Sequence, residues 1–272
     1  MSGLQGTTAV VTGASSGIGR AIAQRLGAEG GHVFITGRIV ERLQALARSI
    51  ETAGGKASIG AFDLHDHNRL QAFIGAAADQ TGRLDVMVNA AGVDHPGTII
   101  DGDWADWRDM LEINVMAVLV GSQAAVRAMR ATQGRGHIVT ISSYAGRGDG
   151  YRVYGATKAA VNSLCMTLRG ELEDEPIRCI TIMPGAVATN FGRNHPAEFV
   201  NRLLQSVGIP SEFETGDILP DEMLETLNAR ASSIFASPDD IARAVLYAVT
   251  QPHDLSVSEI LVGPRKSFPS HA

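Results

Sequence analysis

The chain has 272 residues, a formal net charge of −6 and a sequence pI near 5.7. That is enough length to bury a sizeable core, and the wrong sign of charge to attract nucleic acid or an anionic membrane surface. The two cysteines, Cys165 and Cys179, fall in a predicted helix and a predicted strand, so they read as buried free thiols suited to a reducing cytoplasm, where the chain is expected to reside.

The N-terminal MSGLQGTTAVVTG lacks a basic region followed by a long apolar run, so no signal peptide is expected. No apolar stretch is read as reaching the ~18 residues of a membrane span. Seven short β-rich runs recur: TTAVVT from Thr7, HVFIT from His32, ASIGAF from Ala57, LDVMVN from Leu84, GHIVTI from Gly136, RCITIM from Arg178 and EILV from Glu259. Helical patterns lie between them. Strand alternating with helix implies an α/β fold with a parallel sheet covered on both faces, doubly wound by right-handed crossovers. Repeats, charge blocks and low-complexity linkers are missing from the sequence, so one domain over residues 1–272 is expected.

The first strand runs into Thr12-Gly13-Ala14-Ser15-Ser16-Gly17-Ile18-Gly19 and then a helical run. Glycines there let the backbone turn sharply and approach a pyrophosphate, whose charge a helix N-terminus stabilises. The second strand ends at Thr36-Gly37-Arg38. Enzymes that use NAD usually place an acid near this point to hold the ribose hydroxyls. Gly37 removes that acid and Arg38 offers a planar guanidinium to a 2′-phosphate, with Ser15 able to add a neutral hydrogen bond. NADP is therefore expected over NAD, and Gly37→Asp with Arg38→Leu is expected to reverse the preference. The competing reading pairs Arg38 with Glu41 on the surface.

Asp63-Leu64 follows the third strand, and then His65-Asp66-His67. Three adjacent side chains do not easily converge on a metal, so a solvated turn is expected and no metal. The fourth strand ends in Asn89-Ala90-Ala91-Gly92, with Asp94 and His95 as candidate pocket lining. Trp104 to about Arg130 reads as one long helix with Trp107, Met110, Leu111, Val115 and Val118 in an apolar stripe. Asn114 on it is a poor helix former, costly to bury without partners.

The fifth strand ends in Ser142-Ser143. Tyr154 and Lys158 stand four positions apart in the helical run YGATKAAVNSLCMTLRGEL, so phenol and ammonium share a face. At ~4 Å and an effective dielectric near 20 their attraction is about 4 kcal/mol, roughly 3 pK units. The expectation is a tyrosine drawn toward neutrality, able to exchange a proton with a reacting oxygen that a serine hydroxyl holds.

With TGASSGIG at the first turn, this Tyr-x-x-x-Lys stretch resembles the short-chain dehydrogenase/reductase family, closely over residues 4 to about 190 and more loosely beyond. The resemblance implies hydride transfer to or from a nicotinamide, with Ser143, Tyr154 and Lys158 catalytic and Asn114 anchoring a water that leads to the lysine. The family's strand ending matches Ser143, with Ser142 as the competing serine. The implied cofactor contacts are Gly13, Ser15, Ser16, Gly17, Ile18 and Gly19 in the first turn, Arg38, and Asp63 and Leu64 at the adenine. They continue with Asn89, Ala90 and Gly92, where the family usually has Asn-Asn-Ala-Gly and Ala90 departs. Tyr154 and Lys158 complete them at the nicotinamide ribose, together with Pro184, Gly185, Val187 and Thr189 after the sixth strand.

From Asn190 to Ser237 the pattern turns irregular, and the resemblance implies a lid over the substrate at 190–237. No basic residue lies between Arg202 and Arg230, while Glu212, Glu214, Asp217, Asp221, Glu222 and Glu225 do. Such a segment repels phosphorylated or carrier-bound acyl substrates, although Arg147, Arg152 and Arg193 lie near the site in sequence. Helix restarts at Ser237, a plausible N-cap followed by Pro238 and acids, and residues 266–272 form a tail. The expected function is an NADP-dependent oxidoreductase acting on a small-molecule secondary alcohol, ketone or aldehyde. A homodimer or homotetramer built through two long helices is implied. The alternatives are a non-catalytic NADP-binding sensor and a reductase of carrier-bound 3-oxoacyl chains.

Overall fold

The strand sequences are almost continuously apolar because both faces of the sheet are covered. Every residue is buried in β1 (Thr8–Val11), β4 (Val86–Asn89) and β5 (Gly136–Ile141). The computed structural model describes residues 3–132, 134–148, 152–252 and 254–266. The expected tail, apart from residue 266, lies outside the described residues. With β2 (His32–Gly37), β3 (Lys56–Ala61), β6 (Ile177–Pro184) and β7 (Glu259–Val262), the strands form one parallel sheet in the order β3-β2-β1-β4-β5-β6-β7. All seven expected strands are present.

Alternation along β2 shows how the two layers arise. Val33 and Ile35 face a cluster containing Ile22, Leu26, Leu43, Ile50, Ile241 and Val245. These come from α1 (Gly17–Ala28), α2 (Val40–Thr52) and α9 (Pro238–Val249). Phe34, pointing the other way, joins Leu70, Ile74 and Met129 of α3 (His67–Thr81) and of a long helix on the opposite face. Period 2 in the strand thus decides which helices each residue meets. The strand order reverses between β1 and β4, and in doubly wound sheets a crevice opens beyond the strand ends at that switch point.

The long helix comprises α4 (Trp104–Leu111), a π turn (Glu112–Met116) and α5 (Ala117–Thr132). Its extra residue interrupts the 3.6 period. Met110 and Val118 are buried, but Leu111, expected in the same stripe, is half exposed. By length and composition an 18-residue window of this helix is apolar enough to cross a membrane, contrary to expectation. More than half of that window, 56%, is buried within the fold, which accounts for its apolar content by core packing.

The segment 190–237 is more regular than its sequence pattern implied. It holds α7 (Ala197–Ser206) and α8 (Asp221–Arg230) around a cluster that includes Val200, Leu204, Phe213, Leu227 and Phe235. At the start of α9 the expected cap is present: Ser237 Oγ accepts from the Asp240 amide at 3.1 Å, and the Asp240 carboxylate accepts from the Ser237 amide at 2.8 Å.

Candidate active site

A cavity of about 660 Å³ opens at the switch point, walled by the ends of β1, β4, β5 and β6 and roofed by the 190–237 segment. Gly13 has φ +66°, and a Cβ on it would stand 2.8 Å from Ala91 Cα, so two backbones pass in contact here. Thr12 Oγ1 accepts from the amides of Ala90 (3.1 Å) and Ala91 (3.3 Å), tying the ends of β1 and β4 together. Sequence reading gave Thr12 no role of its own. Ser15, Ser16, Gly17, Ile18 and Gly19 line the cavity with Gly13. Ser16 precedes α1 without a side-chain capping bond, so the helix's first N–H groups suit an anionic ligand.

Arg38 lies at the rim, its side chain 64% exposed, with Asp63 as its nearest carboxylate at 3.9 Å. The pairing with Glu41 considered from the sequence does not form. Asp63 and Leu64 both line the cavity. Partial burial pushes the Asp63 carboxyl up, but hydrogen bonds from the His65 backbone and ring, with the His65 and Arg38 charges, hold it below the usual carboxylate range. The His65 ring sits between Asp63 (2.6 Å) and Asp109 (2.9 Å), and its hydrogen bond to Asp63 holds its pKa above the ordinary value despite burial. Asp66 caps α3 by accepting from the Arg69 amide at 3.0 Å. The His-Asp-His run is thus a hydrogen-bonded corner, and no cluster able to hold a metal occurs among the described residues.

Ala90 and Gly92 line the cavity, but Asn89 does not. Its buried side chain turns under the strand end and donates to Ser122 Oγ at 3.1 Å, supporting the strand end where a cofactor contact is expected of it. Asn114 lies behind the wall as well. Its Oδ1 accepts from the Val93 amide at 2.8 Å, and Nδ2 donates to the Val93 carbonyl at 2.9 Å and to Thr157 Oγ1 at 3.1 Å. Of the two candidate lining residues that follow, Asp94 faces the cavity. His95 instead contacts Asp106 (3.3 Å) and Asp109 (2.6 Å).

Ser142 is buried and donates to Asn162 Oδ1 at 2.6 Å. Ser143 lines the cavity with Tyr154, and its Oγ accepts from the Ala145 amide at 3.1 Å. Lys158, on α6 (Arg152–Glu171) with Tyr154, is buried and donates to the Ile141 carbonyl at 3.1 Å. Its Nζ lies 5.8 Å from the tyrosine ring centre. The expected fall of the tyrosine pKa is not found. Burial dominates and pushes it up, the Ser143 hydrogen bond opposes, and Asp94 adds a further rise. Burial likewise pushes Lys158 down to about 8.

From the end of β6 onward, Pro184, Gly185, Val187 and Thr189 line the cavity. Thr189 Oγ1 accepts from the Phe191 amide at 3.2 Å, starting a 3-10 turn over Asn190–Asn194. That turn is fastened across the cavity mouth. Asn194 Nδ2 donates to the Asp94 carbonyl at 2.9 Å, and His195 Nε2 lies 3.1 Å from Asp94 Oδ2. The Phe191 ring stands 5.4 Å from that of Tyr154. Phe199, Phe213 and Phe235 add apolar lining. These residues escaped the sequence reading, although the spacing of Val200, Leu203 and Leu204 in α7, with Val207 just after it, signals an amphipathic helix. Of the nearby arginines, Arg193 lines the cavity while Arg147 pairs with Glu259.

The family model for short chain dehydrogenases matches residues 7–198. A glycine betaine reductase of Emericella nidulans is 32% identical over 265 residues, 96% of this chain but only 19% of that much longer protein. An uncharacterized oxidoreductase of Staphylococcus aureus is 33% identical over 97% of this chain and 100% of its own length. A metagenomic short-chain oxidoreductase, solved in complex with NADP, superposes with a TM-score of 0.74 at 33% identity, covering 96% of this chain and 98% of that one. Sequence, fold and strand-end geometry agree, and the chain is an oxidoreductase of the short-chain dehydrogenase/reductase family.

Proposed function

We propose that the protein is an NADP-dependent oxidoreductase that interconverts a secondary alcohol and a ketone, or reduces an aldehyde. The observation that carries this reading is that Ser143, Tyr154 and a buried Lys158 line one cavity at the switch point. The residues present fit the cofactor. The close passage at Gly13 and the uncapped start of α1 suit its pyrophosphate, Arg38 suits its 2′-phosphate, and Asp63 and Leu64 suit its adenine. The structural relative with NADP bound supports that choice over NAD.

When bound, the nicotinamide supplies or accepts the hydride. In reduction, Ser143 holds the carbonyl oxygen by a hydrogen bond, and Tyr154, kept protonated by its burial, passes its proton to that oxygen. The Lys158 ammonium holds the nicotinamide ribose and favours charge on the phenolic oxygen as the proton leaves. Asn114 and Lys158 both border Gly92, where a Cβ would stand 3.3 Å from Asn114 Oδ1 and 3.6 Å from Lys158 Nζ, and Asn114 there anchors a relay water. In oxidation the same groups run in reverse.

The aromatic lining from the 190–237 segment supports a neutral, small-to-medium, partly apolar substrate. The acidic stretch between Arg202 and Arg230 disfavours carrier-bound acyl chains. Exposed Leu111, Met116 and Leu119 on the long helix and Met166 on α6 support a homo-oligomer formed through these helices. Buried, unpaired Cys165 and Cys179 fit a reducing cytoplasm. The test is a panel of alcohols, ketones and aldehydes followed by NADPH absorbance. Turnover of neutral carbonyls is expected. Turnover of none of the panel by protein that binds NADPH would favour the sensor instead.

A further inference from the structure

Arg193 is a cation on the roof of the cavity that the proposed mechanism does not use. It belongs to the 3-10 turn Asn190–Asn194, is half buried, and lines the same cavity as Arg38. The turn that carries it is held firmly. The Asn190 amide group exchanges two hydrogen bonds with the Leu219 backbone, at 3.0 and 2.8 Å, and the Gly216 amide donates to the Arg193 carbonyl at 2.7 Å. The guanidinium donates to the Asn190 carbonyl at 3.2 Å. Among the described residues no carboxylate forms an ion pair with Arg193. Asp109, the acid nearest in effect, is already engaged by His65 and His95.

One of the charges acting on Arg193 is of its own sign. Burial, and then the Arg38 guanidinium, hold the Arg193 pKa below its ordinary value, with only partial compensation from Asp109. Arg38 follows directly on β2 and Arg193 belongs to the 3-10 turn after β6, and both line the cavity. Two guanidiniums lining one cavity repel each other, and an anion lying between them relieves the repulsion. Each fork presents paired N–H donors matched to phosphate oxygens.

We infer that Arg193 and Arg38 form a two-sided clamp on a phosphate of the bound dinucleotide, one jaw on the end of β2 and the other on the roof. The inference rests on the dinucleotide reading above. The group recognised is a phosphate, either the 2′-phosphate or the pyrophosphate. Arg193 belongs to the segment that also carries Phe191 and His195 along the cavity, so the clamp ties the bound dinucleotide to that roof.

The test measures dissociation constants of NADPH and NADH by nucleotide fluorescence for wild type, Arg193→Ala, Arg193→Gln and Arg193→Lys, at low and high salt. Competition by 2′-AMP and by ADP is measured alongside. Arg193→Gln retains a donor for the Asn190 carbonyl, so the turn keeps its anchor if the alanine variant fails to fold. Loss of one charge-assisted contact predicts weakening by roughly tenfold or more in the Ala and Gln variants, a shallower salt dependence, and substantial retention in Arg193→Lys. Weakening confined to NADPH and 2′-AMP assigns the clamp to the 2′-phosphate. Weakening shared by NADH and ADP assigns it to the pyrophosphate. Wild-type affinity in both the Ala and Gln variants overturns the clamp, as does a loss that leaves the salt slope unchanged. Wild type that binds neither dinucleotide instead overturns the cofactor reading itself.

Discussion

Asn114 brackets the backbone of a single residue: its Oδ1 accepts from the Val93 amide at 2.8 Å and its Nδ2 donates to the Val93 carbonyl at 2.9 Å. The π turn at Glu112–Met116 places the side chain there, and the bracket fixes the loop between Gly92 and Asp94 that borders the cavity.

Asn114→Ala would leave both buried Val93 groups without partners, at about 1–3 kcal/mol for each unsatisfied group. For a chain of this size each kcal/mol lowers Tm by ~2–4 °C. The expected outcome is a Tm several degrees lower together with reduced turnover, read by calorimetry and steady-state kinetics. An unchanged Tm would mean that this bracket does not hold the loop.

Tyr154→Phe removes the phenolic proton and leaves the packing against Phe191 in place. NADPH affinity should stay close to wild type while turnover falls by ~10²–10⁴, the usual contribution of general acid–base catalysis. Lys158→Ala should weaken both cofactor binding and turnover, since it also removes the bond to the Ile141 carbonyl. Near-normal turnover in Tyr154→Phe on a confirmed substrate would show that the proton donor lies elsewhere.

The sheet was legible in the sequence because seven apolar runs separated by helical patterns leave few other arrangements. The glycine turn and the Tyr154–Lys158 pair were legible because their spacing is local. Three features were not. The tyrosine pKa depends on burial by residues distant in sequence, such as Phe191, and an i,i+4 argument counts only the neighbouring charge. Asn89 and Gly92 read alike as strand-end residues, but strand alternation turns the Asn89 side chain toward Ser122, away from the cavity. The roof formed by α7 and α8 buries its own small cluster, whose pattern is short and broken by loops.

Lys158 and Tyr154 give the reaction and the fold separable pH signatures. Burial pushes the lysine down to about 8, while the tyrosine stays protonated beyond its ordinary range. Reduction, which uses a neutral phenol beside an ammonium, should hold level below pH 8 and decline as pH rises through it. In stability the sign is opposite. Between about 8 and 10.5 the unfolded chain carries a lysine proton that the native state has lost, so stability rises with pH across that window. The tyrosine works against this only above 10, where the unfolded phenol ionises first. Denaturant unfolding at pH 7.5 and 9.5 should show the rise in wild type and its absence in Lys158→Met. A rise that persists in the variant would assign it to another group.

Gly37 changes the expected route to altered cofactor preference. A Cβ there would stand 2.9 Å from Ser15 Oγ and 3.0 Å from Ser15 Cβ, so the end of β2 has no room for a side chain unless the glycine turn shifts. The double change Gly37→Asp with Arg38→Leu, expected from the sequence to reverse the preference, would displace Ser15 from the wall that receives the cofactor. It should therefore weaken NADPH and NADH together. Arg38 is the separable part, since its side chain is exposed and its nearest carboxylate is 3.9 Å away. Wild type should favour NADPH by at least about tenfold, and Arg38→Leu alone should lower kcat/KM for NADPH by ~10–150-fold, the worth of one charge-assisted hydrogen bond, with little change for NADH. Comparing both cofactors on one substrate across wild type, Arg38→Leu and Gly37→Ala separates the two effects. Loss confined to NADPH in the first variant and shared by both cofactors in the second is the expected pattern. Equal losses in Arg38→Leu would deny the arginine a role in choosing between them.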